Sequence, residues 1–192
     1  SLYTKGTMSM GAGSSSYEQY NKAPDKYWSA ITTERGERVQ AWDGSQGWVK
    51  MGQRVQPMRD ASEMKLNADF YHSLKFAGRY KGARVFRKEK VGDHDAWVVM
   101  ARIPDTPLTD MLYFDVDSGL LVRRTTLRRT GLGPLPTTAD LSDYREVSGV
   151  KMPFKVTIST PSSIQNVQVS EMKANVPVED SRFEMPKEAS GQ

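Results

Sequence analysis

A histidine between two carboxylates, as in Asp93-His94-Asp95, has the side chains to ligate a metal ion or to move protons. The run follows Gly92, however, and Gly-Asp-His-Asp is a hairpin-turn sequence in which aspartate serves turn chemistry. The other histidine, His72, makes no defensible metal-ligand spacing with it. Covalent chemistry fares no better. With no cysteine in the chain, thiolate nucleophiles, disulfides, Cys-ligated metals and c-type haem attachment are excluded from it. There is no Gly-x-Ser-x-Gly, Walker or dinucleotide fingerprint. Gly11-Ala12-Gly13 leads into serines and a strand rather than a helix N-terminus, so it cannot cradle a phosphate. These residues point to a protein without catalytic machinery, metal or cofactor.

Two other groups could bind rather than react. Trp28, Trp42, Trp48, Phe70, Trp97, Tyr113 and Phe154 either fill an ordinary core or wall a pocket for an apolar ligand. Arg123, Arg124, Arg128 and Arg129 surround Leu127. In a strand, Arg123 and Arg129 project to one face and Arg124 and Arg128 to the other. Such a ladder either keeps a sheet soluble or forms a patch for an anionic partner or lipid headgroup.

The elements that must position these side chains are mostly strands. Tyr113-Phe114-Asp115-Val116-Asp117-Ser118-Gly119-Leu120-Leu121-Val122-Arg123 is two strand-like runs around an Asp-Ser-Gly turn, where Gly119 supplies a positive φ. Asp43-Gly44, Gly92-Asp93 and Ser148-Gly149 punctuate the chain in the same way. Phe154, Val156 and Ile158 alternate with Lys155, Thr157 and Ser159, the pattern of a half-buried strand. A stretch from Gly131 to Pro136 reads as a Gly-Pro loop. One helix is expected from Asp60 to Gly78, with Asp60 and Glu63 resembling a capping box and Met64, Leu66, Phe70, Leu74 and Ala77 forming an apolar stripe. Near the C-terminus, Glu179 to Phe183 suggests one helical turn anchored by Phe183. The sum is a mainly β (α+β) domain over residues 1–192. It has about ten antiparallel strands in a large curved sheet, an incomplete barrel, with one main helix on its concave face and a disordered tail at 187–192.

At 192 residues, 38% apolar and 26% charged, the chain suits a globular domain with a sizeable core. No apolar run approaches the roughly 20 residues of a membrane-spanning helix. A net charge of +4 without a basic stripe or nucleic-acid motif gives no reason to expect nucleic acid as a partner. The start at Ser1, running directly into strand-like Leu2-Tyr3-Thr4, reads as the cut edge of a longer chain.

Several phrases together carry a family resemblance. Tyr20-Asn21-Lys22-Ala23-Pro24-Asp25-Lys26 followed by Ala41-Trp42-Asp43-Gly44-Ser45-Gln46-Gly47-Trp48 resembles the bacterial outer-membrane lipoprotein-sorting superfamily, which includes periplasmic lipoprotein carriers and outer-membrane lipoprotein receptors. Asp143-Tyr144-Arg145-Glu146-Val147-Ser148-Gly149-Val150-Lys151-Met152-Pro153-Phe154 and Asn175-Val176-Pro177-Val178-Glu179-Asp180-Ser181-Arg182-Phe183 are similar to a branch appended to reaction-centre-type or multihaem c cytochromes. The resemblance implies an incomplete antiparallel barrel able to hold acyl chains, a periplasmic location, and a hydrophobic ligand or lipidated protein as partner. It equally implies an alternative, an accessory or docking module with a cytochrome domain in the same full-length chain.

Overall fold

Turn chemistry closes the hairpins at the places the sequence marks. Asp115 Oδ1 accepts hydrogen bonds from the Ser118 backbone N–H at 2.7 Å and the Ser118 hydroxyl at 2.6 Å, while Gly119 adopts a φ of 70°. Asp43 repeats the device, its Oδ1 accepting from the Ser45 and Gln46 backbone N–H groups at 2.7 and 2.8 Å. Both are short polar side chains that satisfy turn donors the sheet cannot reach.

The computed structural model describes residues 1–59, 64–65, 68, 80–104, 106–131 and 133–186. Its strands are β1 (Leu2–Met10), β2 (Gly13–Lys22), β3 (Lys26–Thr33), β4 (Gly36–Trp42), β5 (Gly47–Met51), β6 (Arg54–Pro57), β7 (Lys81–Val91), β8 (His94–Arg102), β9 (Leu108–Asp115), β10 (Leu121–Thr130), β11 (Gly133–Val147), β12 (Val150–Thr160) and β13 (Ser163–Ala174). They form one open antiparallel sheet in the order β6-β5-β4-β3-β2-β1-β13-β12-β11-β10-β9-β8-β7. Two meanders are thus welded where the first strand meets the last. That seam is reinforced by the Asn175 N–H donating to the Ser1 carbonyl at 2.8 Å and the Ser1 hydroxyl donating to the Val176 carbonyl at 2.6 Å.

This corrects the expected class. Among the described residues, thirteen strands replace about ten, and the architecture they form is β rather than α+β. Among the described residues, helical geometry is confined to Met64, Lys65, Ala68 and the 3-10 turn Asp180–Arg182, so no main helix lies on a concave face. The rest of the segment from Asp60 to Gly78 lies outside the described residues, as does the tail 187–192. The Gly131–Pro136 loop is also corrected: Pro134 and Pro136 belong to β11, facing Arg129 and Leu127 of β10. On its other side β11 pairs with β12 only from Thr138 onward. Prolines two residues apart turn their missing donors to the same unpartnered side, where a strand tolerates them.

Register sorts the side chains onto two faces. One face, here the Trp42 face, carries Thr4, Gly6, Tyr17, Tyr27, Trp42, Phe154 and Val169, all buried. Met64 and Ala68 pack against Tyr27 and Trp42 on it, and Tyr80 joins Ala101, Ile103 and Leu112 further along it. The opposite Trp48 face carries Ala30, Val39, Ala41 and Trp48 at one end, and Ala96, Val98 and Tyr113 at the other. The sheet's two free edges are protected in different ways. β6 is four residues long and ends in Pro57, while β7 bears Lys81, Arg84, Arg87, Lys88 and Lys90 and is interrupted by two irregularities of register. No helix among the described residues is long and apolar enough to cross a membrane.

Candidate ligand-binding face

The middle of the Trp42 face carries a row of half-buried apolar side chains. Met8 pairs with Val167, Val167 with Val156 and Val156 with Leu141, so four half-buried apolar side chains line up across β1, β13, β12 and β11. Three strand spacings make that row ~14 Å long. The next row runs from Ile158 through Ala139 to Arg124 and Leu112. A guanidinium therefore stands at the border of the apolar band. On the same face, the Ser29 hydroxyl and Trp42 Nε1 are buried with no hydrogen-bond partner among the described residues. Buried donors without partners are uncommon and costly, which makes them candidates for a ligand's oxygen.

The expected aromatic wall divides between the faces. Trp42, Trp97 and Phe154 lie on the Trp42 face, whereas Trp28, Trp48 and Tyr113 lie on the other; Phe70 is outside the described residues. Phe154 is buried under the Arg145 guanidinium, 4.5 Å from its ring centroid. Trp97 is 45% exposed beside Lys88. Trp28 and Trp48 are met by the protein's own C-terminal segment. The Arg182 guanidinium sits 4.6 Å from the Tyr20 ring and 4.9 Å from the Trp28 ring. Trp48 Nε1 donates to the Phe183 carbonyl at 2.7 Å. Lys22 and Lys26 hold Asp180 at 2.7 and 3.0 Å. The helical turn expected at Glu179–Phe183 is thus present as Asp180–Arg182, with Phe183 fully buried.

The arginine ladder divides by parity as expected. Arg123 and Arg129 face with Trp48, Arg124 and Arg128 with Trp42. Arg123 is engaged by Asp140 in a bidentate pair at 2.5 and 3.0 Å, which raises its pKa mainly through those hydrogen bonds. Sequence reasoning missed the Met8–Val167–Val156–Leu141 row because it singled out aromatics. The alternation in β12 was the available signal, but only the register with β1, β13 and β11 shows the row crossing strands. It also missed Asp110, a carboxylate with no exposed surface that accepts from the Tyr80 hydroxyl at 2.7 Å and the Thr126 hydroxyl at 2.6 Å.

His94 Nδ1 lies 2.8 Å from Asp115 Oδ2, and the described residues contain no group of three or more His, Asp or Glu side chains placed to hold a metal ion. Hydrogen bonds from Ser118, then from His94, hold the Asp115 pKa at about 2. A carboxyl depressed below its unfolded value of about 3.9 stabilises the fold above that pH and loses the contribution as pH falls through about 2. The melting temperature of the wild type should therefore fall towards that of Asp115→Asn between pH ~4 and ~2, with a constant gap above pH ~5. Thermal melts across that range check it, and a gap independent of pH would show that ionised Asp115 contributes nothing.

No protein-family model matches this chain, and no curated protein sequence matches it. Solved structures do. A LolA superfamily protein from Nitrosomonas europaea superposes with a TM-score of 0.65 at 16% identity, covering 95% of this chain and 88% of its own. A putative outer membrane lipoprotein-sorting protein domain from Vibrio parahaemolyticus gives 0.64 at 11% identity, with coverages of 95% and 88%. A DUF1329 family protein from Desulfovibrio piger gives 0.65 at 14%, with 95% and 89%. The chain shares their fold over nearly its whole length.

Proposed function

We propose that this chain is a non-catalytic, periplasmic binding domain for a lipid or the acylated end of a lipidated protein, with the acyl chain laid along the Trp42 face. The observation that carries the reading is the half-buried Met8–Val167–Val156–Leu141 row, apolar surface left partly in water in the middle of a 13-stranded sheet. Each methylene buried against such a wall contributes about 0.8 kcal/mol. Arg124 at the border of the band suits an anionic head, and Trp42 Nε1 and Ser29 Oγ suit an ester or carboxyl oxygen. The shared fold supports the reading, since two of the neighbours are a lipoprotein-sorting domain and a LolA superfamily member.

Native mass spectrometry and lipid extraction of gently purified protein should find an acyl-bearing molecule at defined stoichiometry. Delipidated protein should bind a fluorescent fatty acid. Val156→Asp should weaken that binding at least tenfold, since a carboxylate would have to be desolvated against the chain. Lys155→Glu, one residue away on the opposite face, should leave it unchanged. Protein that is empty as purified and indifferent to the fatty acid would end the proposal, as would equal effects of the two substitutions.

A further inference from the structure

At the β7 end of the sheet, on the Trp48 face, lies a groove of 820 Å³. Lys81 and Arg84 of β7, Arg102 of β8 and Arg129 of β10 line it, over an apolar floor that includes Met100, Leu127 and Pro134. No carboxylate is among its described lining residues. The register makes this unusual. Lys81 stands directly opposite Arg102 in the ladder, and like charges in that position repel. A nearby acid would ordinarily relieve the repulsion, yet among the described residues none of the four cations has an ion-pair partner. Arg87, further along β7, by contrast is held by Glu89. The four are therefore free to meet an anion from outside.

The same end of the molecule exposes apolar side chains. Arg84 is followed on the edge strand by Val85 and Phe86, 63% and 51% exposed, with the Arg87 guanidinium 4.8 Å from the Phe86 ring centroid. Cations gathered over an apolar floor, with an exposed aromatic side chain on the same edge strand, match the chemistry of a phospholipid surface: phosphates outside, acyl boundary within. A groove of this size is larger than one inorganic phosphate needs. An acidic protein would have no use for the exposed Val85 and Phe86.

We infer that the β7 end of the sheet docks on a bilayer containing anionic phospholipid, headgroup phosphates entering the groove between Lys81, Arg84, Arg102 and Arg129 while Phe86 enters the interfacial layer. This surface is separate from the ligand face, so delipidated protein shows it equally and its failure leaves the ligand reading untouched.

Flotation with vesicles of phosphatidylcholine alone, and of phosphatidylcholine with phosphatidylglycerol, tests it on the delipidated chain. Partitioning is expected only with phosphatidylglycerol, falling as salt screens the surface. Each basic residue near an anionic surface is worth about a fivefold change in partitioning. The triple variant Arg84→Gln, Arg102→Gln and Arg129→Gln should therefore lose on the order of 100-fold. These side chains are exposed and have no ion-pair partner among the described residues, so the fold should survive, as circular dichroism would show. Phe86→Ser, retaining every charge, should lose binding by a smaller factor. Equal partitioning to both vesicle types, an undiminished triple variant, or binding of inorganic phosphate or an acidic peptide without any vesicle association would each overturn the inference.

Discussion

Gly6→Ala should unfold or badly weaken this protein. A Cβ at position 6 would sit 2.2 Å from the Gln168 carbonyl oxygen and 2.9 Å from Tyr17 Cε1. The first contact is with backbone, which no rotamer change can clear. Gly6 lies between Tyr17 of β2 and Val169 of β13, at the irregularity where Lys5 still pairs with Glu171. The missing side chain is thus what lets β1 lie close to β13 and lets Tyr17 fold over it. To admit a methyl group, β1 and β13 would have to part at the seam that joins the two meanders. Overpacking a yielding core costs about 1–3 kcal/mol, and an unyielding backbone puts this case at or beyond the top of that range. For a chain of this length that corresponds to a fall in melting temperature on the order of 10 °C. Gly131→Ala is the control, because nothing lies within 4 Å of its built Cβ. It should stay within about 0.5 kcal/mol of wild type. Similar thermal melts for the two variants would refute the account of the seam.

What the sequence made legible was local. The turns at Asp43 and Asp115 are satisfied by hydrogen bonds to residues two or three positions away, so they could be read from a few letters. The alternation in β12 and the split of Arg123 and Arg129 from Arg124 and Arg128 need only the two-residue period of a strand. Legibility ended where one strand had to be placed against another. Trp28 and Trp42 read alike as apolar aromatics, but they are 14 residues and one turn apart in register, and they face opposite ways. Pro134 and Pro136 signal a loop by every local rule; they sit in a strand because β11 begins with a partner on one side only. The four residues of β6, ending in a proline, carry too little pattern to be seen alone. The α+β reading rested on the apolar stripe of Asp60 to Gly78, whereas the described architecture is carried by strands throughout.

The same limit hides from the sequence that the aromatics divide between two faces, and it leads to the second large effect, Phe183→Ala. Phe183 lies beyond the last strand in a polar stretch, where the sequence suggests it as an anchor, and it has no exposed surface. It is pinned from a distance of 135 residues by Trp48 Nε1, which donates to its carbonyl. Removing the ring keeps that backbone acceptor in place but empties the space under Lys26, whose ammonium lies 6.0 Å from the ring centroid. Phenylalanine-to-alanine truncations in cores cost about 3–5 kcal/mol, depending on how far the site collapses. The ion pairs of Asp180 with Lys22 and Lys26 are too exposed to hold the segment alone, since such pairs contribute at most about 1 kcal/mol. The C-terminal segment should then lift from the sheet, uncovering Trp28 and Trp48. A loss of about 10 °C in melting temperature should be accompanied by a red shift of tryptophan emission in the still-folded protein. Arg182→Ala removes its cation–π contacts with Tyr20 and Trp28, about 0.5–1 kcal/mol each, and should shift both far less. If Phe183→Ala melted like the wild type with unchanged emission, the C-terminal segment would be a passenger on the Trp48 face and the buried ring would contribute nothing to holding it there.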